Sequence, residues 1–487
     1  SDLRRQRQMC IRDSSYLEAE NDYTAAKMSS TDQLQQSLYE EIKGRIKEQD
    51  ESVPYYRNGF YYKTKTIEGG EYPVYVRSKD IEFTEEEILL DGNEMAKGYD
   101  YFDVGGYEIS PNNELIAFAV DTFSRRIYNI QVKNLVTGEI YPEKIENGDG
   151  SRAWADDNST LFYGTLNPNT LRSDRIMKHQ LGAAVAEDQE VYYEKDATYS
   201  TYVFRSKSDK YIMIENYSTL TTETMILPSN NPDGSFEVFH PRTKGLEYSV
   251  YHAKGDEFYV LTNKDKATNF QIMTAKTGCT EASCWQALVP HREDVLIEYM
   301  TVFEDYLVVE ERSQGLIQLR VIPSNGQEEY YVPFYDESYV AYTSGNSEYA
   351  TSKLKFWYSS LTTPGTTYAF DMVTKETEVL KQQEIIGGYD SKEYTSKRLW
   401  ATARDGVKVP ISIVYKNTTE LGPNTPLLQY AYGSYGSSED PYFSNSRISL
   451  LDRGFVYAIA HIRGGQELGR NWYEDGKLLK KWNTFYD

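Results

Sequence analysis

Apolar and polar residues alternate along most of this chain in short segments, as is typical of β-strands. After residue 58 the segments form a repeating unit of an apolar strand, a polar turn and a second apolar strand. The first strands of the units start, at intervals of about 48 residues, at Phe60, Leu115, Leu161, Tyr211, Phe258, Tyr306 and Leu354. Seven such units predict a mainly β fold with a seven-bladed β-propeller over residues 59–386, and an array of β-sandwiches is the alternative.

The pattern changes near residue 387. Val409–Tyr415, Pro426–Tyr432 and Gly454–Ile462 are nearly continuous apolar runs, which favour strands buried on both faces of a largely parallel sheet. The segment Ser446–Asp452 between the last two runs has the composition of a helix. Residues 387–487 are therefore predicted to form the first part of an α/β domain.

A helical pattern precedes the repeats. Leu34, Leu38, Ile42 and Ile46 recur every fourth residue among Gln, Glu, Lys and Arg, so a helix through residues 16–49 would carry one apolar stripe. Ser52-Val53-Pro54 ends this pattern. We expect residues 16–58 to form a helical segment that packs on the C-terminal α/β domain.

Composition narrows the classes of partner. The 487 residues carry a net charge of −22, which repels nucleic acid and anionic membrane surfaces and attracts cationic ligands. No apolar run is long enough to span a bilayer. The three cysteines, Cys10, Cys279 and Cys284, are too few for a disulfide framework and fit a reducing compartment such as the cytoplasm, although the last two lie close enough in sequence to pair. No metal site is predicted.

The first fifteen residues differ from the rest. Residues 3–14 are basic in an otherwise acidic chain and contain no apolar segment of the kind found in signal peptides. Residues 1–15 are therefore expected to be non-native sequence. On this interpretation the true N-terminus, and any secretory signal on it, cannot be seen.

Several motifs in the last sixty residues are specific enough to indicate a family. In their order along the chain and in their residues, these motifs resemble the prolyl oligopeptidase family of serine peptidases. The resemblance is strongest to the oligopeptidase B branch of that family. The N-terminal segments Tyr16–Asn21 and Ser52–Tyr55 match the same branch. The C-terminal motifs that carry the resemblance are Tyr430–Gly436, Ser446–Gly454, Arg463–Gly465 and Trp472–Lys477.

The resemblance implies a seven-bladed propeller that limits access to an α/β-hydrolase domain. It implies a cytosolic serine endopeptidase that cleaves short peptides after Arg or Lys through an acyl-enzyme, with Ser, Asp and His as the triad and no cofactor. An acidic protein suits basic peptide substrates. Two alternatives remain open: cleavage after Pro, and a propeller that serves as a non-catalytic binding scaffold.

Few of the family's functional positions fall within this sequence. Tyr432 matches the tyrosine that donates to the oxyanion, a role that suits the uncharged hydroxyl of a phenol. Tyr435 matches an aromatic residue near the substrate. Asp440 matches one of two acidic positions that favour a second basic residue in the substrate, and the other position is Tyr442. The triad and the residues that select Arg or Lys are expected after Asp487, so the chain as given is predicted to be inactive.

Three other features are interpreted as structural. His461 ends a predicted buried strand, and in this fold the triad histidine comes last. The segment Gly464–Gly469 lacks the Gly-Lys-Ser/Thr ending of a phosphate loop and is predicted to be a glycine-dependent turn. Arg463, next to it, is interpreted as an ion-pair partner.

Overall fold

The computed structural model describes residues 2–487, with side chains from residue 13 onward. Ser1 and the side chains of residues 2–12, all within the segment predicted to be non-native, lie outside this description. In the described residues no helix combines the length and apolar character needed to cross a membrane. The same residues contain no cluster of His, Cys, Asp and Glu side chains arranged to hold a metal ion.

The N-terminal segment contains two helices. They are α1 (Asp2–Met28) and, after a 3₁₀ turn at Ser29–Thr31, α2 (Asp32–Lys43). The helical pattern was expected to continue to residue 49, but α2 stops at Lys43 and the chain enters a sheet at Asp50. Gly44 is the C-cap of α2, and glycine is a poor helix former, which fits the end of the helix at this point.

Blades 1 to 3 contain twelve antiparallel strands. Blade 1 has five, β1 (Asp50–Glu51), β2 (Tyr55–Arg57), β3 (Phe60–Thr66), β4 (Val74–Ser78) and β5 (Glu87–Asp91), followed by the short helix α3 (Gly92–Met95). Blade 2 contains β6 (Asp103–Ile109), β7 (Leu115–Asp121), β8 (Tyr128–Asn134) and the start of β9 (Ile145–Trp154). Blade 3 contains the rest of β9, β10 (Thr160–Leu166), β11 (Ser173–Gln180) and β12 (Gln189–Tyr193). Because β9 pairs with β8 and then with β10, these two blades form one continuous sheet.

Blades 4 to 7 are separate four-stranded antiparallel sheets. Blade 4 contains β13 (Ser200–Arg205), β14 (Tyr211–Ser218), β15 (Thr221–Pro228) and β16 (Glu237–Val238). Blade 5 contains β17 (Tyr248–His252), β18 (Glu257–Thr262), β19 (Gln271–Lys276) and β20 (Gln286–Val289). Blade 6 contains β21 (Val295–Val302), β22 (Tyr306–Ser313), β23 (Leu316–Pro323) and β24 (Tyr330–Tyr331). Blade 7 contains β25 (Tyr339–Thr343), β26 (Lys353–Ser360), β27 (Thr366–Asp371) and β28 (Thr377–Gln382).

These sheets confirm the predicted seven-bladed propeller. Each strand that marked a repeat in the sequence is an interior strand of its own blade, flanked by strands on both sides. The apolar cores lie between neighbouring blades. One cluster joins Met213 and Phe239 of blade 4 to Tyr248 and Phe258 of blade 5, and a second joins blades 6 and 7. In the loop between β19 and β20, Cys279 and Cys284 form a disulfide.

The C-terminal part is an α/β unit, as predicted, but its sheet is mostly antiparallel. Its strands, in the order β29-β30-β32-β31 across the sheet, are β29 (Tyr394–Thr402), β30 (Lys408–Lys416), β31 (Leu427–Tyr430) and β32 (Val456–Ala460). Only β31 and β32 are parallel. The short Asp405-Gly406 turn forces β29 and β30 to run in opposite directions, so an apolar run alone did not reveal strand direction. The helices of this part are α4 (Asn445–Leu451), α5 (Arg470–Glu474) and α6 (Trp482–Tyr486).

Helix α2 packs on helix α4 of the C-terminal part. Glu41 accepts hydrogen bonds from Arg453 at 2.8 and 3.1 Å, and from Arg45 at 2.8 Å. Arg45 also donates to the hydroxyl of Ser449 at 2.6 Å. These arginines hold the pKa of Glu41 at about 2. The contact between the first and last parts of the chain is thus largely polar.

Candidate active site

Tyr432 lies just after β31, at the carboxyl end of the parallel strand pair. This edge of an α/β sheet is where ligands commonly bind. The side chain is 45% exposed, and its hydroxyl has no hydrogen-bond partner among the described residues. Tyr432 therefore presents a free donor to solvent at the place where the sequence predicted an oxyanion-stabilising group.

The loop that carries Tyr432 depends on glycine. A Cβ at Gly433 would lie 2.5 Å from the methyl group of Thr484 and 2.7 Å from Ile462. A Cβ at Gly464 would lie 2.0 Å from the carbonyl oxygen of Gly433. Both glycines have positive φ, +66° and +105°. The turn predicted after β32 is therefore pressed directly against the loop after β31, and no side chain fits between them.

Two further contacts fix this loop. The backbone N–H of Gly436 donates to the carbonyl oxygen of Gly464 at 2.8 Å. The ammonium group of Lys481 donates to the carbonyl of Gly433 and to the hydroxyl of Ser434, the latter at 2.7 Å. Lys481 precedes α6, so the C-terminal segment holds the Tyr432 loop in place.

Tyr435 lies at the tip of the same loop. Its side chain is 87% exposed, and its φ of +58° places a residue with a Cβ in the left-handed region. Such a conformation is uncommon outside glycine and is associated with functional loops. The structure therefore brings Tyr432 and Tyr435 onto one loop, both open to solvent.

Asp440, five residues after Tyr435, lies in the interface with blade 6. Its two carboxylate oxygens accept hydrogen bonds from the guanidinium of Arg312, at 2.7 and 3.1 Å. Arg312 also pairs with Glu298, at 2.6 and 3.2 Å. Burial alone would lower the pKa of Arg312, but Asp440 and Glu298 hold it well above its usual value. The carboxylate predicted to contact substrate is thus already bound to a buried cation of the propeller, and its role toward substrate stays a prediction.

A buried serine, histidine and carboxylate lie nearby. The hydroxyl of Ser412 is 2.7 Å from Nε2 of His461, and Nδ1 of His461 is 4.0 Å from the carboxylate of Glu467. The hydroxyl of Ser338, from the propeller, donates to that of Ser412 at 2.6 Å. Sequence spacing did not reveal this group, because Ser412 lies in β30, His461 just after β32, Glu467 in the following turn and Ser338 in a propeller loop.

This arrangement does not have the geometry of a catalytic triad. All three side chains are at least 97% buried, so no substrate reaches the Ser412 hydroxyl. The gap between His461 and Glu467 exceeds hydrogen-bond distance, whereas a triad carboxylate must hold the imidazole N–H. Burial lowers the pKa of His461 to about 4 and raises that of Glu467 to about 7. The contacts fit the structural interpretation of His461.

Arg463 is an ion-pair partner, as interpreted from the sequence. It donates to Asp405 at 2.7 Å and to Asp487 at 2.5 Å, linking the β29–β30 turn to the last residue of the chain. Arg312 was missed. The sequence does carry a signal, since Glu310-Glu311-Arg312 places three charges in a row directly after the apolar residues Leu307–Val309, and charges in a buried strand must be paired.

Comparison with known proteins supports the assignment of both parts. A family profile described as "Prolyl oligopeptidase, N-terminal beta-propeller domain" matches residues 3–383, and one described as "Prolyl oligopeptidase family" matches residues 441–487. The first match begins inside the segment predicted to be non-native.

Individual relatives cover almost all of this chain. Dipeptidyl aminopeptidase BI of Pseudoxanthomonas mexicana is 44% identical over 97% of this chain and 67% of its own length. Protease 2 of Moraxella lacunata is 32% identical over 97% of this chain and 68% of its own. The structure of oligopeptidase B from Leishmania major superposes with a TM-score of 0.91 at 32% identity, covering 97% of this chain and 68% of that protein. The chain thus spans about two thirds of the length of each.

The raised pKa of Glu467 predicts a pH-dependent effect of its substitution. Between pH about 4.5 and 7 the folded state binds more protons at this site than the unfolded state, so stability falls as pH rises. Glu467→Gln removes a buried negative charge at pH 8. At pH 5 the Glu467 carboxyl is mostly protonated, so the substitution removes almost no charge. We expect a gain in unfolding free energy of about 1–3 kcal/mol at pH 8 and almost none at pH 5, measured by denaturant titration. The exposed Glu420→Gln is the control, and an equal gain at both pH values would refute this assignment.

The Arg312–Asp440 pair predicts strong coupling between the propeller and the C-terminal part. Asp440→Asn should lower the unfolding free energy by about 1–3 kcal/mol, because it weakens the partner of a buried cation. Arg312→Met with Asp440→Asn should cost less than the two single changes added together, as a double-mutant cycle would show. Glu329→Gln, which removes the exposed partner of Arg320, is the matched control. Additive costs would mean that the pair is not coupled.

Proposed function

The chain belongs to the prolyl oligopeptidase family of serine peptidases, and from this premise we propose that it forms the propeller and the first part of the catalytic domain of an oligopeptidase cleaving short peptides after Arg or Lys. The observation that carries the proposal is the fixed Tyr432 loop, which presents a free hydroxyl at the ligand-binding edge of the sheet. The chemistry would be acyl transfer. A serine oxygen attacks the peptide carbonyl, and the Tyr432 hydroxyl donates to the oxygen that gains negative charge.

The preference for basic residues rests on charge. The chain carries a net charge of −22, so its field draws cationic peptides toward it. Asp440 could meet a basic side chain of the substrate only by exchanging its contact with Arg312 for one with that side chain. The substrate would then take over the role of a guanidinium that the resting structure supplies itself.

A second candidate function is the release of dipeptides from a free N-terminus. The relative named dipeptidyl aminopeptidase BI is 44% identical over 97% of this chain and favours this reading. The two activities differ in one testable respect. A dipeptidyl aminopeptidase needs the substrate's ammonium group, whereas an endopeptidase accepts an acetylated N-terminus.

We expect a clear result from an amide substrate panel with Arg, Lys or Pro before the scissile bond, each with a free and an acetylated N-terminus. The complete gene product should hydrolyse the Arg and Lys substrates in both forms. The 487-residue chain should hydrolyse none, because no Gly-x-Ser-x-Gly motif occurs in it. Turnover restricted to free N-termini would favour the dipeptidyl activity, and turnover of Pro substrates alone would refute the basic preference. No turnover by the complete gene product would favour a binding scaffold.

Substitution of Tyr432 tests its catalytic role. In the complete gene product, Tyr432→Phe should lower kcat by about 10²–10³-fold with a small change in KM, because the donor acts on the transition state. Tyr430→Phe, a partly exposed tyrosine in β31, is the matched control and should leave both constants near their original values. A change in KM alone would show that Tyr432 binds substrate and does not stabilise the oxyanion.

A further inference from the structure

A cavity of about 580 Å³ lies at the centre of the propeller. Its walls come from the first strands of blades 4, 5, 6 and 7, which are β13, β17, β21 and β25, and from the loops that follow β13 and β25. The C-terminal part contacts residues at the opposite ends of two of these strands, Glu247 before β17 and Ser338 before β25. The loops containing Lys207 and Ser344–Ser347 therefore lie at the end of the cavity that faces away from the C-terminal part.

Lys207, just after β13, is an unusual residue in this wall. Its Nζ atom is buried, and no acceptor among the described residues lies within hydrogen-bond distance. It sits 3.7 Å from the ring centroid of Phe303, which itself is 2% exposed. Glu348 acts on it only through its electric field. A buried ammonium group without an acceptor is energetically costly, so burial lowers the pKa of Lys207 to about 7.

The other basic groups of the cavity are already paired. Arg57 lies 3.4 Å from Glu108 and 3.6 Å from Asp209. Arg205 lies 2.5 Å from Asp156 and 2.8 Å from Asp209. The imidazole of His252 contacts Ser208 and the carbonyl of Gly255, and burial lowers its pKa. Lys207 is thus the one basic group lining the cavity that lacks a hydrogen-bond acceptor in the described protein.

Two acids of the cavity region, Glu215 and Glu310, are themselves affected by burial. Burial raises the pKa of Glu215, and it raises that of Glu310 to about 7. Glu310 is further engaged by the backbone N–H and the hydroxyl of Thr343, at 2.8 and 2.6 Å. Burial thus favours the uncharged form of both acids.

We propose that the propeller cavity binds a carboxylate-bearing ligand, with Lys207 as its anchoring cation and Tyr202, Tyr251 and Tyr299 as the wall for its apolar part. One ammonium group matches the single charge of a carboxylate, whereas a phosphate would call for several donors. The carboxylate belongs either to the C-terminus of a peptide or to a free small acid. Binding is independent of the proposed peptidase activity, because it is measured on the 487-residue chain without turnover.

Calorimetric titration at pH 6.5 tests the proposal. The probes are acetyl-Ala-Ala-Phe as the free acid, the same peptide as its C-terminal amide, and succinate. The acid should bind about tenfold more tightly than the amide, the effect of one charge-assisted hydrogen bond. In Lys207→Met this ratio should fall to within about twofold, and Lys207→Arg should restore part of it. Lys210→Met, at an exposed lysine three residues away, should leave it unchanged.

The outcomes separate the two sources of the carboxylate. Tight binding of the peptide acid assigns the site to peptide C-termini, and binding of succinate alone, lost in Lys207→Met, assigns it to small free acids. Two results would overturn the proposal. One is equal affinity for the peptide acid and the peptide amide with no binding of succinate. The other is a preference for the acid over the amide that persists in Lys207→Met. Lys207→Met should unfold at the same or a higher temperature than the original chain, since it removes a buried charge without a partner. Lost binding would then not reflect misfolding.

Proton uptake gives a second readout. At pH 8 most Lys207 side chains are uncharged, so binding of a carboxylate should draw about one proton from the buffer. Titrations in buffers with different ionisation enthalpies measure this number. Glu215 and Glu310 lie in or next to the cavity and could also change their protonation on binding. Lys207→Met is therefore the reference, and its proton uptake on ligand binding should be close to zero. Tight binding to the original chain with no proton uptake would exclude Lys207 as the partner of the carboxylate.

Discussion

The constraint behind this structure is that each blade has two apolar faces to bury. A lone four-stranded sheet buries neither face, and a stack would leave its two end sheets uncovered, whereas a ring lets every sheet cover its neighbour. The clusters that join blade 4 to blade 5 and blade 6 to blade 7 are the result. Ring closure then gathers the first strands of the blades around one axis. Polar groups such as Lys207 and Glu215 line a common cavity, where Lys207 has no hydrogen-bond acceptor among the described residues.

The interface between the propeller and the C-terminal part contains more charged and hydroxyl contacts than the apolar clusters between blades. Besides an apolar cluster that joins Leu361 to the C-terminal part, it contains three polar pairs: Arg312 with Asp440, Arg470 with Glu247, and Ser338 with Ser412. Separating apolar faces has a cost that scales with area, but charged groups regain hydration when they part. An interface of this kind can hold a defined geometry and still separate at a lower cost than the contacts between blades.

The sequence predicted the fold well wherever local pattern decided it. Period and alternation located an interior strand of every blade because those strands are apolar and evenly spaced. Alternation did not reveal the sharing of β9 by two blades, which depends on a register shift between its halves. The mostly antiparallel C-terminal sheet was missed because strand direction is set by connections and not by the apolar run itself.

The candidate site shows the same division. The candidate residues around Tyr432 form one local motif that the sequence can indicate, and their role stays a prediction. The partner of Asp440 lies 128 residues away and could not be inferred from spacing. The serine, histidine and carboxylate at Ser412, His461 and Glu467 have the residue types of a hydrolase triad, yet burial removes them from chemistry. Residue type therefore indicates function only together with exposure.

The Tyr432 loop has the features required of an electrostatic catalyst. A donor aimed at a developing charge is effective only if it need not reorganise when the charge appears. The close contact of Gly433 with Gly464 and the anchoring of the loop by Lys481 fix the backbone that carries Tyr432. Its hydroxyl has no protein partner to leave among the described residues, so no internal hydrogen bond must break before it donates to a substrate. The position of this donor is thus set by the loop itself, independently of any nucleophile.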